Sequence, residues 1–167
     1  MDLLELMKKR RSIRKYKGTP VTEEQLSRVL EAGRLAPSAR NMQEWKFVVV
    51  RGGLLEPLTE ACCGQAMVKE AGAAVAVCAV EDHMMGCGQS SATVDCSIAL
   101  SFMLLEAEEL GLGMCWLGSF DAPAVKRVLE LPEGWTVVAV SPLGVPAESP
   151  DPRPRKPIGE LAVYLGE

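Results

Sequence analysis

The chain has 167 residues, 48% of them hydrophobic, and a formal net charge of -4. That length suits one domain able to bury a sizeable core. No apolar run approaches the ~20 residues of a membrane span, and the opening Met1-Asp2-Leu3-Leu4-Glu5 lacks the apolar stretch of a signal peptide. A cytoplasmic location is expected. An acidic chain with 5% aromatic residues is also poorly suited to nucleic acid.

A short helix is predicted from Asp2 to about Lys9, with Leu3, Leu6 and Met7 on one face. The most biased stretch follows. Seven of the 18 Lys and Arg residues fall within Lys8-Lys9-Arg10-Arg11-Ser12-Ile13-Arg14-Lys15-Tyr16-Lys17. Guanidinium groups match phosphate in a fork, and the Ser12 hydroxyl adds a donor. Taken alone, the stretch fits a bound phosphate, a solvated charge run or a nucleic-acid patch.

Thr22-Glu23-Glu24-Gln25 is a capping box that opens a second helix, through Leu26, Val29 and Leu30 to Gly33. The loop from Pro37 to Gln43 runs into a strand, Trp45 to Arg51. Leu54 to about Met67 reads as helix, and the fully apolar Ala73 to Val80 as a buried strand. Glu81 to Ala92 is unpatterned and reads as loop. Thr93 to Leu110 is the longest helix, expected to be buried nearly all round and ended by Gly111 and Gly113. Met114 to Gly118 reads as a short strand. Asp121 caps a helix with Pro123 in its first turn. Trp135 to Leu143 is another strand. Six prolines between Ser141 and Pro157 predict an extended arm that stays out of helix and sheet. Leu161 to Leu165 has strand composition and could pair with a distant sheet, including one in a second subunit.

Two candidate motifs fail on context. Gly111-Leu112-Gly113 begins like a dinucleotide fingerprint, but Trp116 replaces the third glycine and the stretch leads from helix into strand. His83 and Cys87 form a local pair without the second short motif of a structural zinc site, so no metal is expected. His83 is the only histidine, and the six cysteines contain no C-x-x-C. Cys78, Cys96 and Cys115 sit in apolar segments, as reduced, packed thiols do.

Four stretches, in order, resemble the nitroreductase family of FMN-binding proteins. They are Arg10-Arg11-Ser12-Ile13-Arg14-Lys15-Tyr16, Pro37-Ser38-Ala39-Arg40-Asn41-Met42-Gln43-Glu44-Trp45, Gly111 to Gly118, and Arg153-Pro154-Arg155-Lys156-Pro157. Ala39 stands where the family has serine and Glu44 where it has proline. The Glu81–Ala92 segment is much shorter than the helical lid of larger members.

The resemblance implies an α+β three-layer sandwich, with a mainly antiparallel sheet flanked by helices. Residues 1–145 would form the FMN-binding core, and residues 146–167 an arm swapped in a homodimer. Alternation of helices and strands alone would suggest α/β. The implied function is an FMN-dependent oxidoreductase passing hydride from NAD(P)H, through flavin N5 by a ping-pong route, to a nitroaromatic, quinone or enone. Reductive dehalogenation, flavin fragmentation or non-catalytic flavin carriage are the alternatives. Arg10, Ser12, Arg153 and Arg155 would hold the phosphate and ribityl chain, with Arg11 beside them. Arg14 would give electrostatic support at the ring edge, the flavin carrying the chemistry with no catalytic side chain. Gln65 would bond the pyrimidine edge. The backbone of Trp116, Leu117 and Gly118 would line the other face, with an N–H aimed at N5. Pro37, Ser38, Ala39 and Asn41 would come from the second subunit.

Overall fold

The computed structural model describes residues 2–166. Four strands, β1 (Trp45–Val50), β2 (Ala73–Ala79), β3 (Gly113–Met114) and β4 (Thr136–Gly144), form a sheet in the order β1-β2-β4-β3, antiparallel throughout. β2 is buried along its whole length, as its unbroken apolar sequence requires. Its side chains alternate between two cores. Val75 and Val77 join Val29, Leu100 and Met103 on one face, while Ala74, Ala76 and Cys78 join Leu58, Val68 and Val125 on the other. The first core is covered by helices α2 (Glu23–Arg34) and α5 (Ser91–Glu109), the second by α3 (Leu55–Ala61), α4 (Met67–Glu70) and α6 (Ala122–Val128). The result is the three-layer α+β sandwich, not the α/β arrangement that simple alternation suggests.

Caps set the helix limits. Thr22 and Gln25 complete the capping box of α2, each bonding the other's N–H at 3.1 Å. α5 begins at Ser91, two residues before the expected Thr93. Ser90 accepts from the Thr93 N–H, and the Asp82 carboxylate accepts from the Ala92 N–H and the Ser90 hydroxyl. Gly111, at φ 71°, ends it. There the Leu112 N–H bonds Ala107 O and the Gly111 N–H bonds Glu108 O, a Schellman closure. α5 is not buried all round, since Ser101 and Phe102 are exposed.

Other expectations are corrected. The helix read from Leu54 to Met67 is broken between α3 and α4 by Cys63 and Gly64, both with positive φ. The strand read from Met114 to Gly118 is only Gly113–Met114, with a separate bridge from Leu117 to Val140. Pro142 lies inside β4, paired with Ala74. It is tolerated because Val140 bonds Leu117 on the other side. By alternation, the edge of Pro142 that lacks an N–H points the same way, towards residues 115–116 where pairing lapses. Beyond β4 the arm is irregular apart from a 3-10 turn, Ile158–Glu160. Leu161 to Leu165 forms no strand in the single chain. Val163, Tyr164 and Leu165 are exposed there.

Candidate functional site

The basic stretch follows helix α1 (Leu3–Lys9) and is laid into the sheet edge as a strap. Ser12 bridges Met114 in parallel, and the Ile13 N–H bonds Met114 O at 3.1 Å. Further along, Tyr16 bridges Pro146, Lys17 N–H bonds Val145 O, and Ala147 N–H bonds Lys15 O. The Glu148 carboxylate then accepts from the N–H groups of Arg14 (2.6 Å) and Lys15 (3.1 Å). Ile13 and Tyr16 are buried in the core, while Ser12 is half-buried and Arg14 is exposed.

This seating brings the two ends of the chain together. Arg10, Arg11, Ser12, Arg14, Arg153 and Arg155 line one cavity of about 680 Å³, together with Met7, Lys8 and the irregular segment from Pro150 to Pro152. Among the described residues, no ion pair engages the side chains of Arg10, Arg14, Arg153 or Arg155, and Asp151 is the only acid in the lining. Cations converging without acidic partners repel one another unless an anion joins them. Arg11 has a different task. Its Nη1 donates to the carbonyls of Lys8, Lys9 and Arg10, and its Nε to Pro150 O at 3.1 Å. It ties the end of α1 to the arm.

A second cavity of about 360 Å³ adjoins the first through Arg10 and Ser12, and is closed by Ser101, Leu104, Leu105 and Trp116. Below it, burial pushes the Cys115 thiol up, against the opposing pull of Arg14, the Ser12 hydroxyl and Arg10. The Leu117 N–H is engaged with Val140 O, so it cannot be the donor expected to face a flavin. Gly118 has no backbone acceptor among the described residues. Gln65 sits in the turn after α3, with Nε2 donating to Cys62 O and Ser119 O. That fixes it beside the Trp116–Gly118 segment and leaves Oε1 as an acceptor.

Pro37, Ser38, Ala39 and Asn41 line neither cavity in the single chain. Their loop is strained. Arg40, Asn41 and Gln43 have φ of 51°, 57° and 55°, a region costing about 1–2 kcal/mol for a residue with a Cβ. Ser38 Oγ accepts from the Gln43 N–H at 3.1 Å, and Asp95 accepts from the Ala39 N–H. At the loop's end, Glu44 meets His83 at 3.1 Å. The segment between β2 and α5 is a short loop bridged by Met84 and Ser90, not a helical lid.

Glu148, Asp95 and Ser101 were missed by sequence reasoning. Asp95 did carry a signal, as the one charge in the apolar run from Ser91 to Leu105. Glu148 carried none, because its role depends on pairing between distant segments.

Comparison with known proteins identifies the family. The nitroreductase family model matches residues 7–92 and 63–145. A Methanothermobacter thermautotrophicus protein, provisionally named an NADH dehydrogenase/NAD(P)H nitroreductase, is 40% identical over 158 residues, covering 92% of this chain and 82% of the relative. A nitroreductase family protein of Clostridium difficile 630 has a solved structure similar at TM-score 0.86, with 27% identity and all of both chains covered. The NADPH:FMN oxidoreductase of Vibrio harveyi, solved with NAD+, is similar at TM-score 0.89 and 27% identity, over 100% of this chain and 78% of that one. No described helix is long and apolar enough to cross a membrane. With its matched model, its sandwich and three of the four motifs meeting at the two adjoining cavities, the chain belongs to the nitroreductase family of oxidoreductases.

Proposed function

We propose that the chain is an FMN-dependent oxidoreductase that takes reducing equivalents from NAD(P)H and delivers them to a small electrophile such as a nitroaromatic, quinone or enone. The observation that carries this is the cavity joining residues 10–14 to residues 153–155. Its donor set of unpaired guanidinium groups and a hydroxyl suits a terminal phosphate monoester. When bound, FMN supplies the redox chemistry. Arg10, Ser12, Arg153 and Arg155 hold the phosphate and ribityl chain. Arg11 supports them from behind, since most of its donors already bond the backbone. Arg14 places positive charge in the same cavity, where it would support the reduced form of the cofactor. Gln65 and the backbone of Trp116 and Gly118 would fix the ring, with the Gly118 N–H left without a backbone acceptor and so able to donate to it.

The active unit is a homodimer. Residues 146–167 continue the core domain as an arm, and the exposed apolar run Leu161 to Leu165 pairs with the partner's sheet. The loop carrying Pro37, Ser38, Ala39 and Asn41 then completes the partner's site, consistent with its lying outside the cavities of its own chain. Because only a short loop replaces the lid, one open face serves donor and acceptor alike. Kinetics are therefore ping-pong and acceptor choice is broad. No acid or base side chain is required, and His83 bonds Glu44 outside both cavities.

Purified protein should release FMN, and initial rates with NADH and a quinone should give parallel double-reciprocal lines. Released FAD, or no flavin, refutes the cofactor reading. Intersecting lines refute the shared face.

A further inference from the structure

Asp95 lies in the first turns of α5 and is more than nine-tenths buried. A carboxylate withdrawn from water needs donors aimed at it. Among the described residues no Lys, Arg or His pairs with it. The recorded donor is the backbone N–H of Ala39, 3.0 Å from one oxygen and 3.1 Å from the other.

Ala39 opens the loop in which Arg40, Asn41 and Gln43 all take positive φ without being glycine. Such backbone persists only where its surroundings over-determine it. Two contacts do so. Asp95 grips the entry, and Ser38 Oγ closes the loop onto the Gln43 N–H. We infer that Asp95 is a positioning residue, whose buried carboxylate holds the Ser38–Gln43 loop in its left-handed form and thereby sets the affinity for FMN. The inference rests on the proposed role of that loop in completing the partner's flavin site. It also gives α5 two duties, because Ser101, Leu104 and Leu105, further along the helix, line the cavity of its own chain.

Apo-protein titrated with FMN, followed by flavin fluorescence, tests it. Asp95→Asn keeps an oxygen acceptor at the same reach and should bind within about threefold of wild type, whereas Asp95→Ala should bind at least about tenfold more weakly. Hydrogen exchange at the Ala39 amide of the apo-protein should speed up in the alanine variant and not in the asparagine one. Should the alanine variant fail to fold, Asp95→Glu, with its acceptor one methylene further out, should show the same loss. Wild-type affinity in Asp95→Ala or Asp95→Glu overturns the inference. So does an Asp95→Asn as weak as the alanine variant, since charge rather than acceptance of the Ala39 N–H would then be what the site needs. Wild-type apo-protein that takes up no FMN overturns the cofactor reading instead, and with it the functional half of the role of Asp95. Exchange at Ala39 then still decides whether Asp95 holds the loop.

Discussion

Gly113→Ala is the sharpest perturbation of the way the strap is seated. A Cβ at Gly113 would stand 2.5 Å from Cγ1, 2.6 Å from Cβ and 2.9 Å from Cγ2 of Ile13. Ile13 is buried, β-branched and anchored by its own N–H to Met114 O, so it has no rotamer that clears the methyl. The strap must lift. Overpacking of this kind costs about 1–3 kcal/mol, and each kcal/mol lowers Tm by roughly 2–4 °C in a chain of this size. Lifting also shifts Arg10, Ser12 and Arg14 relative to Arg153 and Arg155. Losing one charge-assisted bond, about 1.5–3 kcal/mol, should weaken FMN at least about tenfold.

Gly111→Ala is the control. It has positive φ and nothing within 4 Å of the added Cβ, so it should cost about 1 kcal/mol and leave FMN affinity alone. In an Ile13→Gly background the clash disappears, and Gly113→Ala should become neutral within about 1 kcal/mol. Thermal unfolding and FMN titration read both effects. A Gly113→Ala protein with wild-type FMN affinity refutes the reasoning, as does undiminished cost in the Ile13→Gly background.

Arg155→Ala should weaken FMN at least about tenfold, whereas Arg11→Ala should mainly lower Tm; the reverse order in a titration would overturn the division between ligand and tie. The Asp82 carboxyl is held below its ordinary 3.8, chiefly by the Ala92 N–H and then by the Ser90 hydroxyl. A lowered folded-state value contributes stability that is complete above the unfolded value and lost as pH falls through the folded one. The Tm gap between wild type and Asp82→Asn should thus be full above about pH 4 and close below it, and a gap unchanged in strong acid would refute the cap. Burial pushes the Cys62 and Cys78 thiols up to about 11 and Cys96 up to about 12. A thiol reagent on the native protein should therefore label Cys63 and Cys87, the two exposed cysteines, and reach the others only after unfolding.

What the sequence made legible was what local chemistry decides. The capping box at Thr22 and the apolar run of β2 needed no knowledge of the rest of the chain. Residues 10–14 and 153–155 could be joined only through the family resemblance, which gives the two basic clusters one phosphate to share. What stayed hidden depended on distant partners. Pro142 sits in a strand because pairing lapses opposite it, and the break at Cys63–Gly64 is a backbone turn inside an otherwise helical composition. Arg11 looked like its neighbours Arg10 and Arg14. Only the path of the arm past Pro150 shows that its donors face carbonyls.

The arm itself offers a final test. Its recorded ties to the strap include the pairing at Val145 and Ala147, the Glu148 carboxylate and the Arg11 bond to Pro150. Beyond Pro150, Arg153 and Arg155 contribute charge to the cavity and, among the described residues, make no side-chain hydrogen bond or ion pair. A phosphate held by both ends would therefore couple occupancy of the cavity to the order of this segment. Linkage stabilises the bound form by about 2.7 kcal/mol when free ligand reaches 100 times Kd, so opening of the arm should become roughly a hundredfold rarer if it requires release. Trypsin can report this at one bond. Arg153 and Lys156 are each followed by proline and resist cleavage, which leaves Arg155–Lys156 as the susceptible bond of the arm. Native apo-protein should be clipped there, losing residues 156–167, and saturating FMN should slow that cut while the rate on a denatured control stays constant. Equal cleavage with and without FMN would show that the arm does not close on the phosphate, and Arg155 would lose its place among the ligands.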